Sequence, residues 1–256
     1  MDVPGISRPV LAAVIVVAVV LFLFGAGSAV SRLTEHTDTQ TRTLAAAPTV
    51  VVTTRNADVK IVASDRSDVR LTTKEKRSVW GGGHVELRGD AGGLQLRDSC
   101  RDLPVVDDPC HVNLRLEVPR STDVRVVTGT GDVRAENLAG STDLRSGTGD
   151  LHVIGVHGPV RAHADTGDVE VVAPAADISV QTATGDVAIV ASHPQTIHAL
   201  AATGDIVMVV PDVTYAVDAQ SDAGDDKVLV HLDDASPRKL QAHTSTGDVI
   251  VSTDRQ

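Results

Sequence analysis

The stretch TGDLHVIGVHGPVRAHADTGDV, residues 148–169, holds one full period of a repeat and decides the fold. It begins and ends with Thr-Gly-Asp followed by an aliphatic residue. Successive aspartates of this motif are 18, 18, 18, 19, 20 and 23 residues apart, which is typical of a repeat architecture. Ala223-Gly224-Asp225 is a degenerate copy. The repeated corner residues are Gly131, Asp132, Gly149, Asp150, Gly167, Asp168, Gly185, Asp186, Gly204, Asp205, Gly224, Asp225, Gly247 and Asp248.

Two apolar runs with period-two alternation lie between successive corners, such as Val169-Glu170-Val171 and Ile178-Ser179-Val180. Alternation with β-branched residues predicts half-buried strands. We expect an all-β, single-stranded parallel β-solenoid with two short strands in each coil of about 18–20 residues, each coil stacked on the preceding one. An antiparallel meander is the alternative, although it does not require a near-constant period. The predicted interior column is Val133, Leu151, Val169, Val187 and Ile206.

The glycine and aspartate of each corner are expected to stabilise the turn. Glycine readily adopts a positive φ, and the aspartate beside it can accept hydrogen bonds from backbone amides that a turn leaves open. The alternative is a calcium site, because stacked carboxylates repel one another and calcium prefers oxygen ligands. Known calcium-binding solenoid repeats carry an aspartate every nine residues, which this chain does not. We therefore predict no metal and no cofactor.

The chain ahead of the regular repeats follows the same strand pattern less closely. Residues 48–118 are predicted to form irregular first coils, interrupted by Gly81–Gly83 and a cysteine loop, and residues 119–256 form the regular coils. Asn56-Ala57-Asp58-Val59 resembles an eroded corner. The two cysteines, Cys100 and Cys110, are expected to form a disulfide if this domain is exported. A zinc site is the less favoured alternative because further ligands at suitable spacing are lacking.

An apolar segment at the N-terminus indicates attachment to a membrane. Val10–Phe24 is an unbroken apolar run within the uncharged segment Pro9–Ser31, just long enough to span a bilayer if the residues after it are included. Residues 1–31 are thus predicted to be a transmembrane signal-anchor, with the N-terminus in the cytoplasm and the solenoid outside the cell membrane. A cleaved signal peptide is the alternative. Residues 32–47 are predicted to be a stalk.

Composition argues against two large classes of function. The net charge is -11 and the basic residues are scattered, so we do not expect a nucleic-acid partner. Beyond residue 31 the only Trp, Tyr or Phe residues are Trp80 and Tyr215, too few for the aromatic platforms of most sugar-processing sites. The sequence also lacks the His-Glu-x-x-His and Gly-x-Ser-x-Gly patterns of common hydrolases. We predict that the chain is not an enzyme.

The Thr-Gly-Asp-Val corners, the segment Val118–Val124 and the preceding cysteine pair resemble the putative-adhesin family, bacterial envelope proteins with a domain of unknown function. The resemblance covers roughly residues 48–256. It implies a β-solenoid and an adhesion or envelope-interaction role with an unknown envelope protein or polysaccharide as partner. An accessory or regulatory protein of an envelope-stress response is one alternative. A self-assembling envelope scaffold is another, because the ends of a solenoid leave strand edges unpaired.

Overall fold

The computed structural model describes residues 36–77, 83–90, 93–100, 112–193 and 195–253. Within these ranges no helix has the length and apolar character that a bilayer crossing requires. The predicted transmembrane segment, residues 1–31, lies outside them. The strands are β1 His36–Ala45, β2 Thr49–Ser64, β3 Asp68–Arg77, β4 Gly83–Asp90, β5 Gly93–Cys100, β6 Val112–Pro119, β7 Asp123–Thr130, β8 Val133–Glu136, β9 Thr142–Thr148, β10 Leu151–Ile154, β11 Val160–Thr166, β12 Val169–Val172, β13 Ile178–Thr184, β14 Val187–Val190, β15 Ile197–Thr203, β16 Ile206–Val210, β17 Thr214–Ser221, β18 Asp226–Leu229, β19 His231–Leu232, β20 Lys239–Thr246 and β21 Val249–Thr253.

The regular coils are two-sided, and each contributes one strand to each of two sheets. The long-strand sheet runs in the order β4, β5, β2, β7, β9, β11, β13, β15, β20, β17. The short-strand sheet runs β1, β3, β6, β2, β8, β10, β12, β14, β16, β21, β18. All neighbours in these orders are parallel except at β1, β3 and β4. The prediction of a parallel β-solenoid with two strands per coil is confirmed.

The interior column lies where the sequence predicts it. Val133, Leu151, Val169, Val187 and Ile206 are direct neighbours in the short-strand sheet, and each is at most 1% exposed. The column continues to Val59 on one side and Val249 on the other. Because the same kind of side chain recurs at the same place in each coil, the core of the regular coils from β7 to β16 is built in thin layers of mainly aliphatic side chains.

The coils do not all stack in chain order, contrary to the expectation from the sequence. Strand β2 turns the corner without a break, so Thr49–Asn56 lies between β5 and β7, and Ala57–Ser64 lies between β6 and β8. At the other end, β20 and β21 lie between the β15–β16 coil and the β17–β18 coil. The β17–β18 coil is therefore the outermost one, although it precedes β20 in the chain.

The degenerate corner at Ala223-Gly224-Asp225 explains why the β17–β18 coil is outermost. Asp226 pairs with Val249 and so occupies the column position, where the other coils carry an aliphatic residue. A carboxylate at this position is tolerated only where water reaches it, and Asp226 is exposed. The last coil of the chain, which carries Val249, buries its column residue instead.

The N-terminal segment differs from the expected stalk of residues 32–47. His36–Ala45 forms β1, which pairs antiparallel with β3 along its whole length. The segment alternates threonine from Thr37 to Thr43, and threonine favours strands. This corrects the prediction of a stalk over these residues.

The cysteine region forms a hairpin as far as it is described. Gly83 begins β4 and Cys100 ends β5, and the two strands pair antiparallel. Gly81, Gly82 and Cys110 lie outside the described residues, so the Cys100–Cys110 disulfide remains a prediction.

Candidate functional site

The predicted corner aspartates form one continuous ladder. In each coil the backbone amide of the aspartate donates to the Oδ1 atom of the aspartate in the adjacent coil, at N–O distances of 2.8–3.1 Å. The ladder also includes Asp58 of the eroded corner. Its order along the stack is Asp58, Asp132, Asp150, Asp168, Asp186, Asp205, Asp248 and Asp225. The structure thus joins every predicted aspartate, and one oxygen of each carboxylate from Asp58 to Asp248 accepts a backbone amide.

The corner glycines are required by both conformation and space. Their φ angles lie between +129° and +158°, a range that other residues rarely adopt. At Gly185 an added Cβ atom would lie 2.1 Å from the carbonyl oxygen of Gly167 in the adjacent coil. The glycine amides of successive coils donate to carbonyl oxygens of the adjacent coil, for example from Gly167 to Thr184 at 2.9 Å. Close stacking of the corners therefore depends on glycine.

Hydroxyl groups that are buried or partly buried complete the corner, and they were not predicted from the sequence. Thr182 donates from Oγ1 to the carbonyl oxygen of Gly167 at 3.1 Å, and Thr244 does the same to Gly204 at 2.9 Å. Ser146 and Ser221 make equivalent bonds to Gly131 and Gly247. The available signal was a Ser or Thr two residues before the Thr of the motif. These bonds satisfy glycine carbonyls that face the interior.

The outward face of the long-strand sheet is rich in arginine. Arg125 and Arg145 both lie near Asp143, with nitrogen–oxygen distances of 3.6 and 3.4 Å. Arg161 lies beside Asp143 in register on β11 and is exposed. The spacing of these residues in the sequence does not group them, because they come from three different coils. The face therefore carries concentrated positive charge in a chain whose net charge is -11.

The outward face of the short-strand sheet changes character along the stack. Near β2 and β8, Lys60 and Arg134 both donate to Glu136, Lys60 at 2.8 Å. Burial alone would raise the pKa of Glu136, but the hydrogen bonds from Arg134 and Lys60 hold that pKa below its usual value. On β10 and β12 the outward side chains His152 and Glu170 lie 3.0 Å apart. The outward positions of β14 and β16 are aliphatic, and Val190 and Val207 are 45% and 36% exposed.

The aspartate ladder and the two outward faces are extended surfaces. Of the His, Cys, Asp and Glu side chains in the described ranges, no three converge on a point where a metal ion would sit. The regular surface instead places outward side chains in straight rows across neighbouring strands, about 4.8 Å apart. Rows of this kind suit an extended partner more than a small one.

A family model confirms the resemblance seen in the sequence. The model described as Toastrack DUF4097 matches residues 111–195, which include β6 to β14. Residues 111–195 are therefore similar to a family whose domain has no known function. No curated protein matches the chain.

Three solved structures of bacterial proteins are among those similar to this chain. A putative cell adhesion protein from Clostridium sporogenes has 10% identity and a TM-score of 0.43, over 86% of this chain and 100% of that one. A putative adhesin from Bacteroides fragilis has 13% identity and a TM-score of 0.42, over 84% and 97%. A putative adhesin from Parabacteroides merdae has 8% identity and a TM-score of 0.44, over 83% and 95%.

Proposed function

We propose that this chain is a non-enzymatic, membrane-anchored module that displays a β-solenoid outside the cell and binds a component of the cell envelope. The observation that carries this proposal is the pair of long outward sheet faces, one with an arginine-rich region and one with an aliphatic region on β14 and β16. Their side chains are held at fixed spacing by the stacked corners, so the surface is already ordered before a partner binds. Such preorganisation lowers the entropic cost of binding.

Attachment to the membrane is supported by the sequence ahead of the sheet. The apolar run Val10–Phe24 precedes β1, which begins at His36. If the run spans the bilayer with Arg8 on the cytoplasmic side, the solenoid stands outside and close to the membrane surface. The expected cellular location is thus the cell membrane, with a single pass.

The experiment that tests this proposal uses the full-length chain with a C-terminal epitope tag in a Gram-positive host. We expect the tag to remain with the membrane fraction after alkaline extraction and to be removed when intact cells are treated with protease. A matched variant, Val16→Arg with Val20→Arg, should lose membrane retention because charges in the apolar run oppose insertion. A tag that stays protected inside intact cells would overturn the proposal.

The identity of the partner is tested by crosslinking in the same cells. Capture of an envelope polymer supports an adhesion or envelope-interaction role. Capture of one specific membrane protein instead supports the alternative of an accessory protein in an envelope-stress response.

A self-assembling scaffold is a second candidate, because β17 and β18 are the outermost strands of the two sheets at one end of the stack. Outermost strands can pair with another chain. A ladder of higher oligomers after crosslinking, with no other partner, would favour this function.

A further inference from the structure

One concentration of positive charge lies on the outward face of the long-strand sheet, away from the aspartate ladder. We define the arginine track as Arg88, Arg97, Arg125, Arg145 and Arg161, which project outward from β4, β5, β7, β9 and β11. All five are exposed. They lie in two adjacent rows of one sheet face, because Arg88 pairs with Gln95, Gln95 with Val51, Val51 with Arg125, and Arg125 with Asp143.

The track is long and narrow. It crosses six neighbouring strands, β4, β5, β2, β7, β9 and β11, so five strand spacings give a length of about 24 Å. Its width is two outward side chains of one strand, which are about 7 Å apart. A ligand that contacts all five arginines must therefore extend along the solenoid axis.

The charges within these two rows do not cancel. The five arginines share the rows with two carboxylates, Glu86 and Asp143. Glu86 lies 3.6 Å from Arg88, and Asp143 lies between Arg125 and Arg145. Arg161 has no carboxylate within ion-pair distance among the described side chains. The formal excess is three positive charges in a chain of net charge -11.

The cations of the track are all arginine, with no lysine. The planar guanidinium group binds phosphate and carboxylate groups with two parallel hydrogen bonds, whereas the ammonium group of lysine acts as a point charge. The composition of the track thus fits repeated oxyanions. The two rows offer no Trp, Tyr or Phe side chain on which nucleic-acid bases would stack.

Carboxylates border the track on both sides. Asp123 lies at the start of β7 and accepts the amide of Ser141 at 2.8 Å, while Asp165 lies near the end of β11 and is 70% exposed at its side chain. A broad anionic surface would meet these carboxylates together with the arginines and be repelled. A single narrow chain avoids them.

We propose that the arginine track binds a linear polyanion that lies along the solenoid axis and carries repeated phosphate or carboxylate groups. This inference deepens the proposed envelope-interaction function, because it names the chemical class of the partner. Its test is made in solution and does not depend on where the protein resides. Failure of membrane localisation and failure of polymer binding can therefore be distinguished.

The test measures binding of the full-length chain, kept in neutral detergent, to long-chain polyphosphate and to alginate. We expect at least one polymer to bind, with an affinity that falls steeply as salt is raised. The variant Arg125→Gln with Arg161→Gln should bind roughly tenfold or more weakly, and the slope of log affinity against log salt should fall by about 2. Binding to polyphosphate alone identifies phosphate as the recognised group, and binding to alginate alone identifies carboxylate.

The matched control is Lys227→Gln with Lys239→Gln, which removes two exposed positive charges outside the track. It should change the affinity by less than about twofold, since only long-range electrostatics differ. Thermal unfolding of each variant confirms that it is folded. Equal losses in the two variants, or binding to neither polymer, would overturn the inference. Two further results would overturn it. One is that inorganic phosphate displaces the bound polymer as effectively as free polyphosphate does at the same total concentration of phosphate groups. The other is that phosphatidylglycerol vesicles bind more tightly than either polymer.

Discussion

At each Thr-Gly-Asp corner, glycine and aspartate meet two different requirements. Glycine allows the backbone of one coil to approach the carbonyl of the next, and the aspartate carboxylate accepts an amide that the turn would otherwise leave unpaired. Both roles could be predicted from the sequence, because they depend only on local conformation. The identity of the donor could not, since that amide belongs to the adjacent coil.

Replacing a corner glycine is expected to be costly. Gly185→Ala places a Cβ atom 2.1 Å from the carbonyl oxygen of Gly167 and retains a φ of +140°. We expect a loss of roughly 3 kcal/mol in the free energy of unfolding, measured by chemical denaturation. The control is Gly89→Ala, where the nearest atom to the new Cβ is 3.9 Å away. The two variants should differ clearly, and equal stability would show that the corner can relax.

The ladder depends on an acceptor oxygen more than on negative charge. Asp168→Ala removes the acceptor for the amide of Asp186, now bonded at 2.8 Å, and should cost about 1 kcal/mol. Asp168→Asn keeps an oxygen at this place and also relieves repulsion from the neighbouring carboxylates, so it should cost much less. Denaturant titration measures both. If the two variants lose equal stability, the charge itself is needed, and the calcium alternative should be tested with a chelator.

At the scale of the strands, the sequence predicts the column but not the order of the coils. The column follows from alternation within each period, which the chain carries locally. The stacking order of the coils depends on whether each coil has a neighbouring coil on both sides. In the sequence this difference is marked only by single residues. Asp226 at the column position and Tyr215, fully buried within the outermost coil, both distinguish β17–β18 from the regular coils.

Hydrogen exchange tests the order directly. Strand β20 is flanked by β15 and β17, whereas β17 is the outermost of the three. We expect the amides of β20 to exchange at least about tenfold more slowly than those of β17, because opening an outer strand breaks fewer contacts. Strand β13, inside the regular stack, serves as the protected reference. Faster exchange in β20 than in β17 would mean that the coils stack in chain order after all.

At the scale of the molecule, the arginine track results from the same out-of-order stacking. Arg88 and Arg97 reach the same face as Arg125 only because β2 lies between β5 and β7. Sequence spacing alone does not indicate this neighbourhood, since the charges look scattered along the chain. The net charge of the whole chain therefore predicts its overall electrostatic repulsion, but it does not predict the charge of a local surface.

The exposed end of the stack provides a last prediction about assembly. The aliphatic column ends at Asp226, whose charge would be buried if a second copy stacked on the β17–β18 coil. A charged side chain on an outer strand that points toward the core of the protein opposes pairing of that strand with another chain. We expect Asp226→Val to self-associate with increasing concentration, as measured by sedimentation velocity of the full-length chain in neutral detergent. Asp218→Val, which makes the same change on the outward face of β17, should sediment like the native chain. If both variants behave alike, Asp226 has no special part in limiting assembly, and the scaffold function would need another explanation for its control.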